Sequence, residues 1–220
     1  MRLSKSQSPW VALSWLVQEN YYQFKYKIST PYLGENLNST IMLAAEKDAY
    51  ENMPGSYFLF HTGLKKINLE PKLISFLDVG CGTGRFVSVA IQHTFLFSRG
   101  IDLDSAGLRI AAQNAVISGR RAGDQNSYEI INCDASLYDI PGDVNVIYFF
   151  NPFGEKTMQH VVSNITKSYA LKPRNIYVIY IIPVFEALFL RTGFKLIYSL
   201  SHKNQKSLSV LKLPDTGVLA

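Results

Sequence analysis

Cysteine is scarce in this chain of 220 residues: only Cys81 and Cys133 occur, so no disulfide framework is implied and a reducing, cytoplasmic setting is the expectation. The four histidines, His61, His93, His160 and His202, are scattered, and with so few thiols no metal-ligand spacing arises. No metal is expected. Long apolar runs are lacking too. The most apolar stretch, Ile176 to Leu190, is broken by Pro183 and Glu186 and falls short of the roughly 20 residues a membrane-crossing helix needs. Trp10 to Val17 is apolar behind Arg2 and Lys5, but no small-residue cleavage site follows, so it reads as an N-terminal helix rather than a signal peptide. Acids are sparse in the last third: residues 151–220 carry nine Lys/Arg and three Asp/Glu, against six and eight in residues 71–150. That basic surplus leaves a nucleic-acid or phosphate-bearing partner open, yet no RNA-binding motif accompanies it and a solvated lysine surface accounts for it as well. Repeats and low-complexity tracts are missing.

What is present is one α/β core. Hydrophobic residues make up 47% of the chain, enough for a single such domain with about seventy residues ahead of it. Strand-like and helix-like runs alternate from residue 73: strand 73–79, helix from Gly84, strand 97–102, helix 105–118, strand 128–132, strand 144–150, helix 155–170, strand 175–182 and helix 184–191. The rhythm then changes. Residues 194–200 and 208–213 are strand-like with only the polar turn His202 to Lys206 between them, which predicts a terminal β-hairpin.

The most informative segment is Asp78-Val79-Gly80-Cys81-Gly82-Thr83-Gly84-Arg85, a buried strand running into a glycine-rich turn that opens a helix. Glycine lets a ligand approach bare backbone, and the N–H groups at a helix start receive electronegative atoms. A dinucleotide fingerprint would carry a third glycine where Arg85 stands, so pyrophosphate binding loses weight. Asp102 lies about twenty residues on, at the end of the second strand, where an acid accepts from both ribose hydroxyls. Strand 128–132 ends in Cys133-Asp134-Ala135, and the apolar strand Val144 to Phe150 ends in Asn151-Pro152-Phe153-Gly154. In open α/β sheets ligands lie beyond the carboxyl ends of the strands, which places all four segments at one edge. Taken singly, Asp134 also reads as a helix cap and Asn151-Pro152 as a strand terminator.

In this order the segments resemble the class I S-adenosylmethionine-dependent methyltransferases, whose first motif is D-x-G-x-G-x-G. The resemblance implies a doubly wound, mostly parallel, seven-stranded Rossmann-like sheet with a terminal antiparallel hairpin and an N-terminal helical extension. It implies S-adenosyl-L-methionine as cofactor, with Asp78, Gly80, Cys81, Gly82 and Gly84 at the methionine end, Asp102 and Leu103 at the ribose, and Asp134 and Ala135 at the adenine. Asn151, Pro152 and Phe153 are similar to the N/D-P-P-F/Y motif of enzymes that methylate amino nitrogen, without its second proline. They stand nearer the single-Asn loops of histone-lysine methylases. The whole arrangement is also similar to a bacterial group of unsettled substrate with N-P-F after the fourth strand.

Two units follow from this reading: residues 1–70, aromatic and helical, as a substrate cap, and residues 71–220 as the cofactor domain. The aromatics of the first unit, among them Tyr21, Tyr22, Tyr26, Tyr57, Phe58 and Phe60, either wall a channel or pack a core. Methyl transfer by direct displacement is the expected reaction. No general base stands out, with Asp139, Tyr148 and His160 the candidates, which mildly favours a nitrogen acceptor. A non-catalytic cofactor-binding protein and a nicotinamide-dependent oxidoreductase are the alternatives.

Overall fold

The computed structural model describes residues 17, 20–28, 55–123, 127–202 and 205–215. Of the expected helix at residues 10–17, all but Val17 lies outside the described residues, as do the aromatics between residues 29 and 54. Seven strands form one sheet: β1 (Ser75–Val79), β2 (Phe97–Asp102), β3 (Ser127–Asn132), β4 (Val146–Phe150), β5 (Ile176–Ile181), β6 (Lys195–His202) and β7 (Gln205–Leu213). Their order across the sheet is β3-β2-β1-β4-β5-β7-β6. The first five are parallel, and β7 runs antiparallel between β5 and β6. The expected doubly wound sheet with a terminal hairpin is the one observed. The order reverses between β1 and β4, and that switch point is where open α/β sheets leave a crevice for ligand.

Helices cover both faces because the central strands are apolar on both. Every residue of β1 and of β5 is buried. One face meets α1 (Tyr57–Ile67) and α2 (Arg85–Gln92), through a core that includes Phe60, Phe76, Phe86, Tyr148 and Ile179. The other meets α4 (Glu155–Leu171) and α5 (Glu186–Arg191), with Met158, Val161, Ile165, Phe149 and Phe189. Helix α3 (Ser105–Arg121) packs on α2 and β3 around Val87, Ile91, Leu108 and Ala115. Each such aromatic or branched side chain contributes about 1.5–3 kcal/mol on burial.

Residues 20–26 are helical and dock on α1 and α2. Tyr26 sits between two histidines, its Oη 2.9 Å from His61 Nε2 and 2.9 Å from His93 Nε2. Gln92 Nε2 donates to the Tyr26 carbonyl and to Ser118 Oγ, tying this segment to α2 and α3. Tyr22, Tyr26, Tyr57 and His61 stack against one another. Tyr57 and Phe60 are core residues, whereas Phe58 is exposed.

Element ends depart from the sequence pattern for local reasons. Pro71–Leu73 is a 3-10 turn, so β1 begins at Ser75 rather than Leu73. Strand β5 stops at Ile181 because Ile182 turns to φ +51, and α5 starts two residues later than expected. The hairpin strands reach further, to a pairing of His202 with Gln205.

Candidate cofactor and acceptor site

The glycine loop is drawn tightly over the carboxyl edge of the sheet. Gly80 and Cys81 both donate N–H to the Ile101 carbonyl of β2, at 2.9 and 3.0 Å, and Gly84 N–H closes a turn onto the Cys81 carbonyl. Gly80, Gly82 and Gly84 all have positive φ, at 80°, 52° and 75°. A side chain is excluded at two of these on packing grounds as well: a Cβ on Gly80 would lie 2.7 Å from Pro152 Cβ, and one on Gly84 would lie 2.7 Å from Ala111 Cβ. The first contact shows that the glycine loop and the Asn151-Pro152-Phe153 loop abut.

Asp102 organises the turn. Its carboxylate accepts from Gly82 N–H at 2.7 Å on one oxygen and from Asp104 N–H at 2.8 Å on the other. Burial pushes its pKa up, and these backbone donors pull partly against that. Asp78 is wholly buried, and burial followed by the nearby Asp102 charge holds its carboxyl well above the usual range. Among the described residues neither acid forms an ion pair with a lysine or arginine. Burial likewise pushes up the thiols of Cys81 and Cys133, so neither is an activated nucleophile.

The ends of β2 and β3 are stitched together beside this turn. Cys133 N–H and Asn132 Nδ2 both donate to the Asp102 carbonyl, and Asn132 Nδ2 also reaches the Leu103 carbonyl. Asp134 caps the 3-10 turn Ala135–Leu137 through Ser136 N–H at 2.8 Å, while Ala135 is buried and Leu103 is exposed. Asp102, Leu103, Asp134 and Ala135 therefore share one corner. On the β4 side, Asn151 adopts φ +37, and its Oδ1 is buried with no hydrogen-bond partner. Phe153 is buried in the core beneath the loop.

Three side chains of this edge have surroundings that the sequence reading did not give. Asp104 caps α3 through Ala106 N–H, and its other carboxyl oxygen is buried without a partner beside Gly107 and the Gly82 carbonyl; an acid before a helical Ser-Ala is a recognisable cap signal. Tyr148 lies level with Asp78 across β1 and β4, its hydroxyl buried and unpartnered. Burial and the Asp78 charge push its pKa far up, which keeps the phenol neutral. Arg85, where a dinucleotide fingerprint would have glycine, is buried over the Tyr57 ring and donates to the Gly55 carbonyl at 2.8 Å. A helix start bearing that side chain fills the space in which the third glycine would permit close packing.

No family model matches the chain, and no curated protein matches it in sequence. Solved structures do. An RNA methyltransferase from Salinibacter ruber in complex with S-adenosyl-L-homocysteine is 15% identical with TM-score 0.53, over 74% of this chain and 95% of its own. The chain has the class I methyltransferase fold. A TehB-like S-adenosylmethionine-dependent methyltransferase from Corynebacterium glutamicum shares it at 15% identity and TM-score 0.52, over 90% and 98% of the two chains. So does the ribosomal protein L11 methylase from Lactobacillus delbrueckii subsp. bulgaricus, at 13% identity and TM-score 0.53, over 71% and 77%. In this methyltransferase fold the two abutting loops stand at the carboxyl ends of β1 and β4, at the switch point. No helix among the described residues is long and apolar enough to cross a membrane, and no group of three or more His, Cys, Asp or Glu forms a metal cage there.

Proposed function

We propose that this protein is an S-adenosyl-L-methionine-dependent methyltransferase that acts by direct displacement on a nitrogen acceptor. The observation that carries the reading is the buried, unpartnered Asn151 Oδ1 on a loop pressed against the glycine turn at Gly80. The residues present fit the cofactor. Gly80, Gly82 and Gly84 at positive φ bare the backbone of the turn, and the two acids Asp78 and Asp102, with no Lys or Arg ion pair among the described residues, suit a ligand bearing a sulfonium and an ammonium. A nicotinamide dinucleotide would bring two phosphate charges to the same acids, and Arg85 stands where its fingerprint needs glycine.

Asp78 and the Gly80–Gly84 backbone would hold the methionine end, Asp102 and Leu103 the ribose, and Asp134 with the Ala135 N–H the adenine edge. When bound, S-adenosylmethionine supplies an electrophilic methyl group. Asn151 Oδ1 would accept an N–H of the acceptor, orient its lone pair for the displacement and stabilise the positive charge developing on nitrogen. Oxygen acceptors need a base, and Tyr148 keeps its proton too firmly to serve as one. The likeness of Asn151, Pro152 and Phe153 to the N/D-P-P-F/Y motif of enzymes that methylate amino nitrogen points the same way.

Calorimetric titration with S-adenosylmethionine, S-adenosylhomocysteine and NAD(P) tests the reading. Saturable binding of the first two with none of the third is expected. Binding of NAD(P) in their place overturns the assignment, and binding without labelled methyl transfer into any lysate fraction replaces it with a non-catalytic cofactor-binding protein.

A further inference from the structure

Two neighbouring strands leave the sheet at the candidate site by the same unusual route. Phe150 of β4 and Ile181 of β5 are register partners, so Asn151 and Ile182 are the next residues out on adjacent strands. Both hold left-handed φ, 37° and 51°. For isoleucine this is a costly conformation, because the branched Cβ crowds its own backbone, and a residue before proline ordinarily stays extended. Such strain persists where the surroundings over-determine it. Here Ile182 N–H donates to the Ser207 carbonyl at 3.0 Å, Val184 N–H to the Ile182 carbonyl at 2.8 Å, and Phe185 N–H to Tyr180 Oη at 3.4 Å.

The turn buries Pro183 and displays apolar side chains instead of hiding them: Ile182 is 42% and Val184 59% exposed. No charged residue occurs in 150–154 or 182–185. The next ones out are Glu155 and Lys156, exposed at the start of α4, and Glu186, which is engaged by Lys206 Nζ at 2.7 Å and by Ser209 Oγ. Within the loop and the turn themselves, a phosphate backbone meets no cation and a polyamine no carboxylate. What the edge offers is one buried amide oxygen, Asn151 Oδ1, next to an exposed apolar shelf.

We propose that the Ile182–Phe185 turn is the acceptor-selecting wall of the site, admitting an N–H carried on an uncharged apolar group such as an arylamine. This rests on the methyltransferase reading above and specifies its substrate class. The wall supplies apolar contact to the carrier while Asn151 takes the N–H, so carriers that are strongly charged gain nothing from it.

The test titrates N-phenyl-1-naphthylamine, an uncharged arylamine whose fluorescence rises in apolar surroundings, into the full chain saturated with S-adenosylhomocysteine. Saturable binding is expected, with at least a tenfold loss of affinity in Val184→Asp and less than twofold in Val184→Leu. Both variants should keep the melting temperature and the S-adenosylhomocysteine affinity of the parent, and neither spermidine nor polyuridylate should displace the probe. Equal probe binding by Val184→Asp, displacement by either polyion, or no probe binding at all removes the wall while leaving the methyltransferase reading in place. Failure of the parent chain to bind S-adenosylhomocysteine removes the reading and the wall together.

Discussion

Replacing Asp102 with alanine strips the acceptor from two backbone donors at once, Gly82 N–H at 2.7 Å and Asp104 N–H at 2.8 Å. A hydrogen bond to a charged group contributes about 1.5–3 kcal/mol when its donor is left buried and unpaired. Asp102 is only half-buried, so water takes over part of the role, and a loss near 2 kcal/mol of unfolding free energy is expected rather than the full sum. Affinity for S-adenosylhomocysteine should fall further, by about 10²-fold, because the proposed ribose hydroxyls lose their acceptor and the glycine turn loses its anchor together. Asp102→Asn keeps the shape and one acceptor oxygen, and its losses should be intermediate in both quantities. Urea denaturation monitored by circular dichroism gives the first number and calorimetry the second. An alanine variant with parental stability refutes the energetic role given to the Gly82 tie, and one that binds S-adenosylhomocysteine within threefold of the parent refutes the placement of the ribose.

Asn151→Ala should leave S-adenosylhomocysteine affinity nearly unchanged and slow single-turnover methyl transfer by about 10²-fold, whereas a parallel fall in melting temperature and binding would make Asn151 only a turn residue. Asp78 has a raised carboxyl pKa, so its contribution to stability is present at low pH and is lost as pH rises through the folded value; Asp78→Asn should therefore melt higher than the parent at neutral pH without ligand, with a flatter dependence on pH. His61 works in the opposite sense. Burial and then the His93 charge lower its pKa from 6.5 to about 4, so stability is lost as pH falls across that window. The residue is partly exposed, which limits the loss to roughly 1–2 kcal/mol, and His61→Gln should flatten the curve in thermal melts between those values. Gly84→Ala combines a φ of +75° with a Cβ 2.7 Å from Ala111 Cβ and should cost about 2–4 kcal/mol, while Gly123→Ala, at φ +81° with open space around it, should cost only about 1–2, by the same urea titration.

The sheet was legible because its strands announce themselves twice, by apolar runs such as Ile176–Ile181 and by what ends them. A glycine triplet after β1 and a polar turn after β6 are local signals, and the wound topology follows from the alternation of strand and helix. The site's corner was legible for the same reason, since Asp102 and Asp134 sit at strand ends. Side-chain pairings across the sheet were not. That Tyr148 stands beside Asp78 depends on the register of β1 against β4, which one-dimensional pattern does not contain. Ile182 was read as strand because it closes the apolar run 175–182; its actual φ goes with bonds from Ile182 N–H to the Ser207 carbonyl and from Phe185 N–H to Tyr180 Oη, made by tertiary packing. Arg85 was visible only as a missing glycine, and its burial over Tyr57 needed α1 in place.

The insertion of β7 between β5 and β6 sets an order of events for a chain leaving the ribosome. Strand β6 emerges before β7 but has no partner in the sheet except β7, while β5, every residue of it apolar enough to be buried, holds an open edge until β7 arrives. A nascent chain stalled before residue 205 thus carries an unsatisfied, aggregation-prone strand edge in the middle of its sheet, and α1, which packs on both β5 and β7, lacks half of its floor. Completion of the fold is deferred to the last strand, and chaperone dependence should peak in the interval between synthesis of β5 and closure of the hairpin.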